Sequence, residues 1–100
     1  MAKQQGSIKE KQRIFTNYPK HYKVICHNDD FTPMIFVVKL LCMVFMLSAG
    51  EAERLMYQVH QEGSAVVGIY SYDIALSLVQ KATSMASENG FPLRFTCEPE

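Results

Sequence analysis

The segment 28–32 (sequence NDDFT) offers an amide, two carboxylates and a hydroxyl just before a predicted helix start. The apolar residues and the histidine that could face it come from two predicted helices: Met34, Val37, Met56, Val59 and His60. An apolar floor with hydrogen-bond acceptors at its rim suits a ligand that is half ammonium and half hydrocarbon. The N-terminus of a peptide with a large first side chain is such a group. One alternative stays open, in which these residues are ordinary core and His60 is an ordinary helix residue.

Other chemistries have less support. Asp29 and Asp30 are adjacent, and in a tight loop such a pair usually caps backbone amides or faces water rather than acting in catalysis. No serine or cysteine stands in a nucleophile motif, and no glycine-rich phosphate loop is present. The soft metal ligands are few and unpaired in spacing: His21, Cys26, His27 and His60. We therefore predict a protein that is not an enzyme, with no catalytic residues, metal or cofactor.

Composition and charge predict one globular domain with a basic leader. Hydrophobic residues make up 48% of the 100 residues and charged residues 20%. The net charge of zero argues against a nucleic-acid partner. Residues 1–23 hold six bases and one acid, whereas residues 24–100 hold four bases and nine acids. We predict a flexible tail at 1–20 and a folded domain at 21–100.

The cysteines and the longest apolar stretch bear on location. Cys26, Cys42 and Cys97 show no paired spacing and indicate reduced thiols. Residues 34–49 are apolar apart from a few positions, but they are interrupted by Lys39 and fall short of the about 20 residues that a bilayer span needs. We expect a cytoplasmic protein that does not bind membranes.

The predicted elements follow the order β-α-α-β-α-β. Strands are expected at 22–28, 65–70 and 93–98, and helices at about 33–47, 49–62 and 72–88. Thr32, Ser48 and Ser71 are predicted N-caps and Gly63 a helix stop, while Gly68 indicates a bulge or a close approach within its strand. We predict a compact α+β domain in which a three-stranded antiparallel sheet packs against three helices.

Helical spacing predicts which faces are buried. The expected core stripes are Phe36, Leu40, Val44 and Leu47 on the first helix, and Ile74, Leu78, Ala82 and Met85 on the third. The remaining face of the first helix, formed by Ile35, Lys39, Cys42 and Met46, carries a single charge. An alternative function is therefore a small scaffolding or dimerising domain that uses this apolar face without recognising N-terminal amines.

Four blocks of sequence carry a resemblance to a known family. They are 27–34 (HNDDFTPM), 36–38 (FVV), 56–63 (MYQVHQEG) and 88–93 (ENGFPL). From Tyr22 to Glu98 the chain resembles the ClpS family of adaptor proteins. The resemblance implies a non-enzymatic adaptor that binds N-degron substrates beginning with Phe, Tyr, Trp or Leu. It also implies delivery of these substrates to the ClpA unfoldase of the ClpAP protease.

The resemblance implies roles for individual residues. Asn28, Asp29 and His60 would bind the substrate's α-amino group, and Asp30 and Thr32 would shape the rim and contact the substrate backbone. The pocket for the first side chain would be lined by Met34, Val37, Met56, Val59 and Leu93. Met34 stands where the family uses a methionine to crowd β-branched first residues.

The sequence departs from the family on the outer surface. Ile35 stands where an acidic residue is common, and Leu76 and Leu78 stand where many members carry Glu and Lys. Asp73 keeps the acidic character expected nearby. The resemblance places contact with the N-terminal domain of the unfoldase in this region, so Asp73 and Leu78 are the predicted contact residues.

Overall fold

The computed structural model describes residues 20–100, so the predicted tail, apart from Lys20, lies outside the described residues. The elements are β1 (Tyr22–His27), α1 (Met34–Phe45), α2 (Ala49–Glu62), β2 (Ser64–Tyr70), α3 (Tyr72–Glu88) and β3 (Arg94–Pro99). Strand β1 is central in the sheet order β2-β1-β3 and pairs antiparallel with both neighbours. The predicted α+β class, element order and antiparallel sheet are confirmed.

Alternation along β1 gives the sheet one buried and one open face. Val24 and Cys26 are fully buried, whereas the residues that alternate with them, Lys23, Ile25 and His27, are only half-buried. On the open face the Lys23 Nζ lies 3.7 Å from a carboxylate oxygen of Glu98. The helices therefore cover the face that carries Val24 and Cys26.

Helix α1 begins and ends differently from the prediction. The predicted Thr32 cap is wrong, because Pro33 occupies the N-cap position and no side chain caps the helix. The Thr32 hydroxyl donates instead to Asp29. The helix ends at Phe45 because Met46 adopts a left-handed backbone (φ 59°), and its N–H bonds to the carbonyl of Leu41.

Helix α2 follows its predicted signals at both ends. The Ser48 hydroxyl accepts a hydrogen bond from the Glu51 N–H at 3.2 Å. Gly63 stops the helix with φ of 93°, and its N–H donates to the carbonyl of Val59 at 2.9 Å. A positive φ of this size favours glycine, which explains why this residue type stands there.

Strand β2 contains the irregularity expected near Gly68. Val24 pairs with Gly68 whereas Ile25 pairs with Val66, so Val67 is the extra residue of a bulge. The side chain of Tyr70 lies so close to Gly68 that a Cβ there would collide with it. Both predicted explanations for the glycine therefore apply.

Helix α3 packs through small side chains. Its buried residues are Ala75, Ala82 and Ala86, while Leu78 and Met85 are half-buried. The prediction that Ile74 lies in the core is wrong: Ile74 is 53% exposed, and its neighbour Ala75 is buried instead. Ser71 occupies the N-cap position, but its side chain makes no capping bond. Alanine lets the helix lie close to the sheet and adds little apolar bulk.

Within residues 20–100, no helix combines the length and the apolar content needed to cross a membrane.

Candidate functional site

The loop between β1 and α1 is built around the Asp29 carboxylate. Its Oδ1 accepts hydrogen bonds from the backbone N–H groups of Phe31 and Thr32, both at 2.8 Å. Its Oδ2 accepts from the Thr32 hydroxyl at 2.7 Å. One carboxylate thus bonds local backbone while Asp30 is exposed, which is the division of labour expected for adjacent acids in a tight loop.

These bonds affect the ionisation of Asp29. Burial acts to raise its pKa, but the bonds from the Thr32 hydroxyl and from the Phe31 and Thr32 N–H groups outweigh it. The pKa of Asp29 therefore lies below its usual value, and the loop holds a fixed negative charge at neutral pH.

A backbone bond joins this loop to the end of α2. The Asn28 N–H donates to the carbonyl oxygen of Gly63 at 2.9 Å. His60 lies in the last turn of the helix that Gly63 terminates. The structure therefore brings the amide of Asn28 and the imidazole of His60 to the same end of the domain.

Leu93 reaches the site through the loop between α3 and β3. The rings of Phe91 in this loop and Phe36 on α1 pack with centroids 4.7 Å apart. This contact fixes the loop against the core two residues before Leu93, which is 4% exposed.

A cavity of about 250 Å³ lies among these segments. All ten side chains predicted for the amine site, the rim and the pocket line it: Asn28, Asp29, Asp30, Thr32, Met34, Val37, Met56, Val59, His60 and Leu93. Pockets for drug-sized ligands start at about 300 Å³, so this cavity suits a single amino-acid residue.

The cavity has an apolar floor and a polar mouth. Val37, Met56, Val59 and Leu93 are each at most 6% exposed, so they belong to the core as well as to the cavity wall. Asn28, Asp30 and His60 are exposed, and Met34 is 41% exposed. Within the described part of the chain, residues 20–100, two carboxylates and no lysine or arginine line the cavity. The arrangement can hold a cation at the mouth and an apolar group beneath it.

The side chains considered above as possible metal ligands do not come together at one point. His27 Nε2 lies 2.8 Å from the Thr96 hydroxyl on the open face of the sheet. Cys26 is buried, and burial together with the charge of Asp29 raises the pKa of its thiol to about 12. Among residues 20–100, no three His, Cys, Asp or Glu side chains cluster closely enough to hold a metal.

The two predicted unfoldase-contact residues lie away from the cavity on α3. Asp73 is exposed in the first turn of the helix. Leu78 is half-buried and packs against the core, which limits the surface it can offer to a partner.

Gly63 shapes the site although it is not among the predicted site residues. It contributes through its backbone carbonyl and therefore leaves little side-chain signal. Its role as a helix stop next to His60 was the available clue.

Comparison with known proteins places this chain in a family. The family model described as "ATP-dependent Clp protease adaptor protein ClpS" matches residues 17–96. The ClpS adapter of Acetivibrio thermocellus is 46% identical over 93% of this chain and 94% of its own length. That of Treponema denticola is 50% identical over 80% of this chain and 79% of its own.

A solved structure is similar over the same region. Agrobacterium tumefaciens ClpS2, bound to L-phenylalaninamide, has a TM-score of 0.80 and 47% identity, covering 83% of this chain and all of that one. An α+β domain with a cavity that has an apolar floor and a polar mouth belongs to the class of binding modules. The chain belongs to the ClpS family of adaptors of the ATP-dependent Clp protease. It is an adaptor rather than an enzyme.

Proposed function

We propose that the cavity captures the first residue of an N-degron substrate, with its free α-amino group at the mouth and its Phe, Tyr, Trp or Leu side chain on the floor. The observation that carries the proposal is the composition of the cavity: polar Asn28, Asp29 and His60 share one space with the buried side chains of Val37, Val59 and Leu93. An ammonium joined to a bulky hydrocarbon matches both halves at once.

The polar residues have distinct roles in this proposal. The side-chain oxygen of Asn28 and an imidazole nitrogen of His60 accept hydrogen bonds from the ammonium. Asp29 already accepts three bonds from its own loop, so it acts mainly through its charge. Charge-assisted bonds contribute roughly 1.5–3 kcal/mol each before losses to desolvation. Asp30 and Thr32 border the substrate backbone.

The apolar residues provide affinity and size selection. Burying a Phe or Leu side chain against Val37, Met56, Val59 and Leu93 contributes roughly 1.5–3 kcal/mol. Met34, at the partly exposed side of the cavity, crowds a side chain that branches at Cβ. Selectivity against Ile and Val then arises from steric exclusion rather than from a missing attraction.

The ligand of the Agrobacterium relative supports this assignment. L-Phenylalaninamide carries a free α-amino group, a benzyl side chain and an amide in place of the next peptide bond. It is therefore a minimal form of the substrate end that we propose for this chain.

We further propose that the bound substrate is delivered to the ClpA unfoldase of the ClpAP protease through the N-terminal domain of that unfoldase. Asp73 is the exposed acidic residue of the contact, and Leu78 adds the small apolar surface that it keeps free. The segment 1–20 acts as the tail used in delivery. A pull-down with the purified unfoldase domain tests the contact, and Asp73→Lys is expected to weaken it.

The central test compares a peptide that begins with Phe with its N-acetylated twin, by fluorescence anisotropy. The free peptide is expected to bind, and the acetylated one to bind at least about a hundredfold more weakly because its charge and donors are lost. Equal affinity for both peptides would eliminate the proposal.

The exposed face of α1 supports a second candidate function, self-association. Ile35 in the first turn is 81% exposed and Met46, which follows the last helical residue Phe45, is 83% exposed, whereas Cys42 on the predicted face is half-buried against the core. A dimer formed through them would appear as a concentration-dependent mass in sedimentation, and Ile35→Glu would abolish it. Dimerisation without any preference for free N-termini would favour this candidate over the first.

A further inference from the structure

Two methionines line the cavity, and they differ in access to solvent. Met34 is 41% exposed, whereas Met56 is 6% exposed. A thioether sulfur that solvent can reach is open to oxidation by peroxides, and the product is a polar sulfoxide in place of an apolar group. The cavity therefore contains one methionine that is partly exposed to solvent and one that is buried.

We propose that Met34 is an oxidation-sensitive site whose sulfoxide weakens the capture of a bulky first residue; this inference rests on the proposed function. Hydrogen peroxide supplies the oxygen atom. One S–O bond forms at the Met34 sulfur as the peroxide O–O bond breaks. The sulfur loses two electrons and the peroxide leaves as water. Methionine sulfoxide reductases carry out the reverse conversion on accessible residues, so the change is reversible.

The surroundings of Met34 explain why its sulfoxide opposes binding. The floor of the cavity is formed by hydrocarbon side chains such as Val37, Val59 and Leu93, which carry no hydrogen-bond donor. Of the donors that also line the cavity, the Thr32 hydroxyl already donates to Asp29, and Asn28 and His60 are exposed at the mouth. A ring seated on this floor would remove water from the sulfoxide oxygen without replacing its hydrogen bonds. We expect the affinity to fall by about tenfold, the effect of one unpaired polar group in an apolar site.

The same contact makes the bound peptide a shield. A first residue that packs against Met34 covers its sulfur, so oxidation of Met34 slows when a peptide beginning with Phe is present. Met43 is 59% exposed and Met46 is 83% exposed, and neither lines the cavity. Their oxidation rates are therefore expected to be independent of the peptide, and they serve as internal references.

The experiment uses three proteins: the wild type, Met34→Leu, and the double variant Met43→Leu/Met46→Leu. Each is treated with hydrogen peroxide and then with dithiothreitol, which reverses disulfides and sulfenic acids at Cys42 and Cys97. Mass spectrometry measures the sulfoxide at each methionine. Anisotropy measures the affinity for a peptide beginning with Phe, and each protein is compared with its own untreated sample.

The wild type and the double variant are expected to lose about tenfold in affinity, while Met34→Leu stays within about twofold of its untreated value. A reductase that acts on methionine sulfoxide restores the wild type. The inference is overturned if the wild type keeps its affinity with Met34 oxidised, or if Met34→Leu loses as much. It is also overturned if Met34 resists oxidation while Met43 and Met46 react. Failure of the proposed function would look different, because the untreated wild type would then not bind the peptide.

Discussion

The backbone N–H of Asn28 donates a hydrogen bond to the carbonyl oxygen of Gly63, with the two atoms 2.9 Å apart. Asn28 begins the loop on one side of the cavity, and Gly63 ends the helix that carries His60 on the other side. The bond therefore joins the two backbone segments that carry the proposed amine-binding side chains.

Gly63→Ala tests the importance of this junction. Gly63 has φ of 93°, a conformation that disfavours a Cβ, so alanine is expected to lower the free energy of unfolding by about 1–2 kcal/mol. Gly50→Ala is the matched control, because Gly50 lies within α2 and has open space around it. That change is expected to raise stability by about 0.5–1 kcal/mol. Denaturant unfolding measures the free energy of unfolding of both variants. If both variants gain stability or both lose it, the positive φ of Gly63 is not the reason why glycine stands there.

Asp29 makes stability depend on pH in the acid range. Its pKa in the folded protein lies below the ordinary value of 3.8, so its stabilising contribution is complete above that value. The contribution is lost as the pH falls through the lower, folded pKa. We expect the melting temperature to fall less steeply below about pH 4 in Asp29→Asn than in the wild type.

Thr32→Val provides a graded comparison for Asp29. It removes the hydroxyl that donates to Oδ2 but leaves the two backbone donors in place. In Thr32→Val the melting temperature is expected to fall with pH less steeply than in the wild type and more steeply than in Asp29→Asn. Glu51 also has a lowered pKa, caused by Arg54, but it contributes equally to all three proteins. Identical slopes in the three proteins would show that Asp29 does not control this dependence.

Met34→Ala tests how first residues are selected. Removal of the side chain enlarges the cavity, so a peptide beginning with Ile is expected to gain affinity while one beginning with Phe loses some apolar contact. Met43→Ala, on the same helix but outside the cavity, is the control and leaves both affinities unchanged. If Met34→Ala rejects Ile as strongly as the wild type does, Met34 is not the excluding group.

Met46→Gly is expected to stabilise the domain. Met46 ends α1 with φ of 59°, where a residue with a Cβ is strained, and glycine removes this strain. We expect a gain of about 0.5–1 kcal/mol in the free energy of unfolding. Met43→Gly, within the helix, should instead cost about 1 kcal/mol. A loss of stability in Met46→Gly would mean that the exposed side chain has a contact that outweighs the backbone strain.

The element order can be predicted from local signals. Ser48 and Gly63 mark the start and the end of a helix through contacts with residues a few positions away, and runs of β-branched residues mark the strands. The buried face of α1 was harder to predict. Phe36 and Leu40 are buried as expected, but Val44 and Leu47 are half-buried while Leu41 and Phe45 are buried. The helix has two adjacent apolar lines, and periodicity cannot tell which one meets α2 and α3. That choice depends on tertiary packing.

The components of the site were predicted from a local motif together with a resemblance, and the bonds between them were not. A hydroxyl before a proline is a good helix cap, so the sequence favoured that role for Thr32. In the structure the Thr32 hydroxyl donates to the charged Asp29 acceptor, and the N-cap position falls one residue later, at Pro33, so Thr32 precedes the helix rather than capping it. The bond from Asn28 to Gly63 links residues 35 positions apart and involves only backbone atoms. No pattern of side chains encodes such a contact.

The measurement that tests the central claim most directly is a four-way titration: the wild type and His60→Ala, each with a peptide beginning with Phe and with its acetylated twin. If His60 receives the α-amino group in this cavity, acetylation of the peptide lowers its affinity for the wild type by at least about a hundredfold. The same acetylation lowers its affinity for His60→Ala by a factor that is several-fold smaller. If acetylation costs both proteins the same, or costs neither anything, His60 does not bind the amine and the cavity has another use.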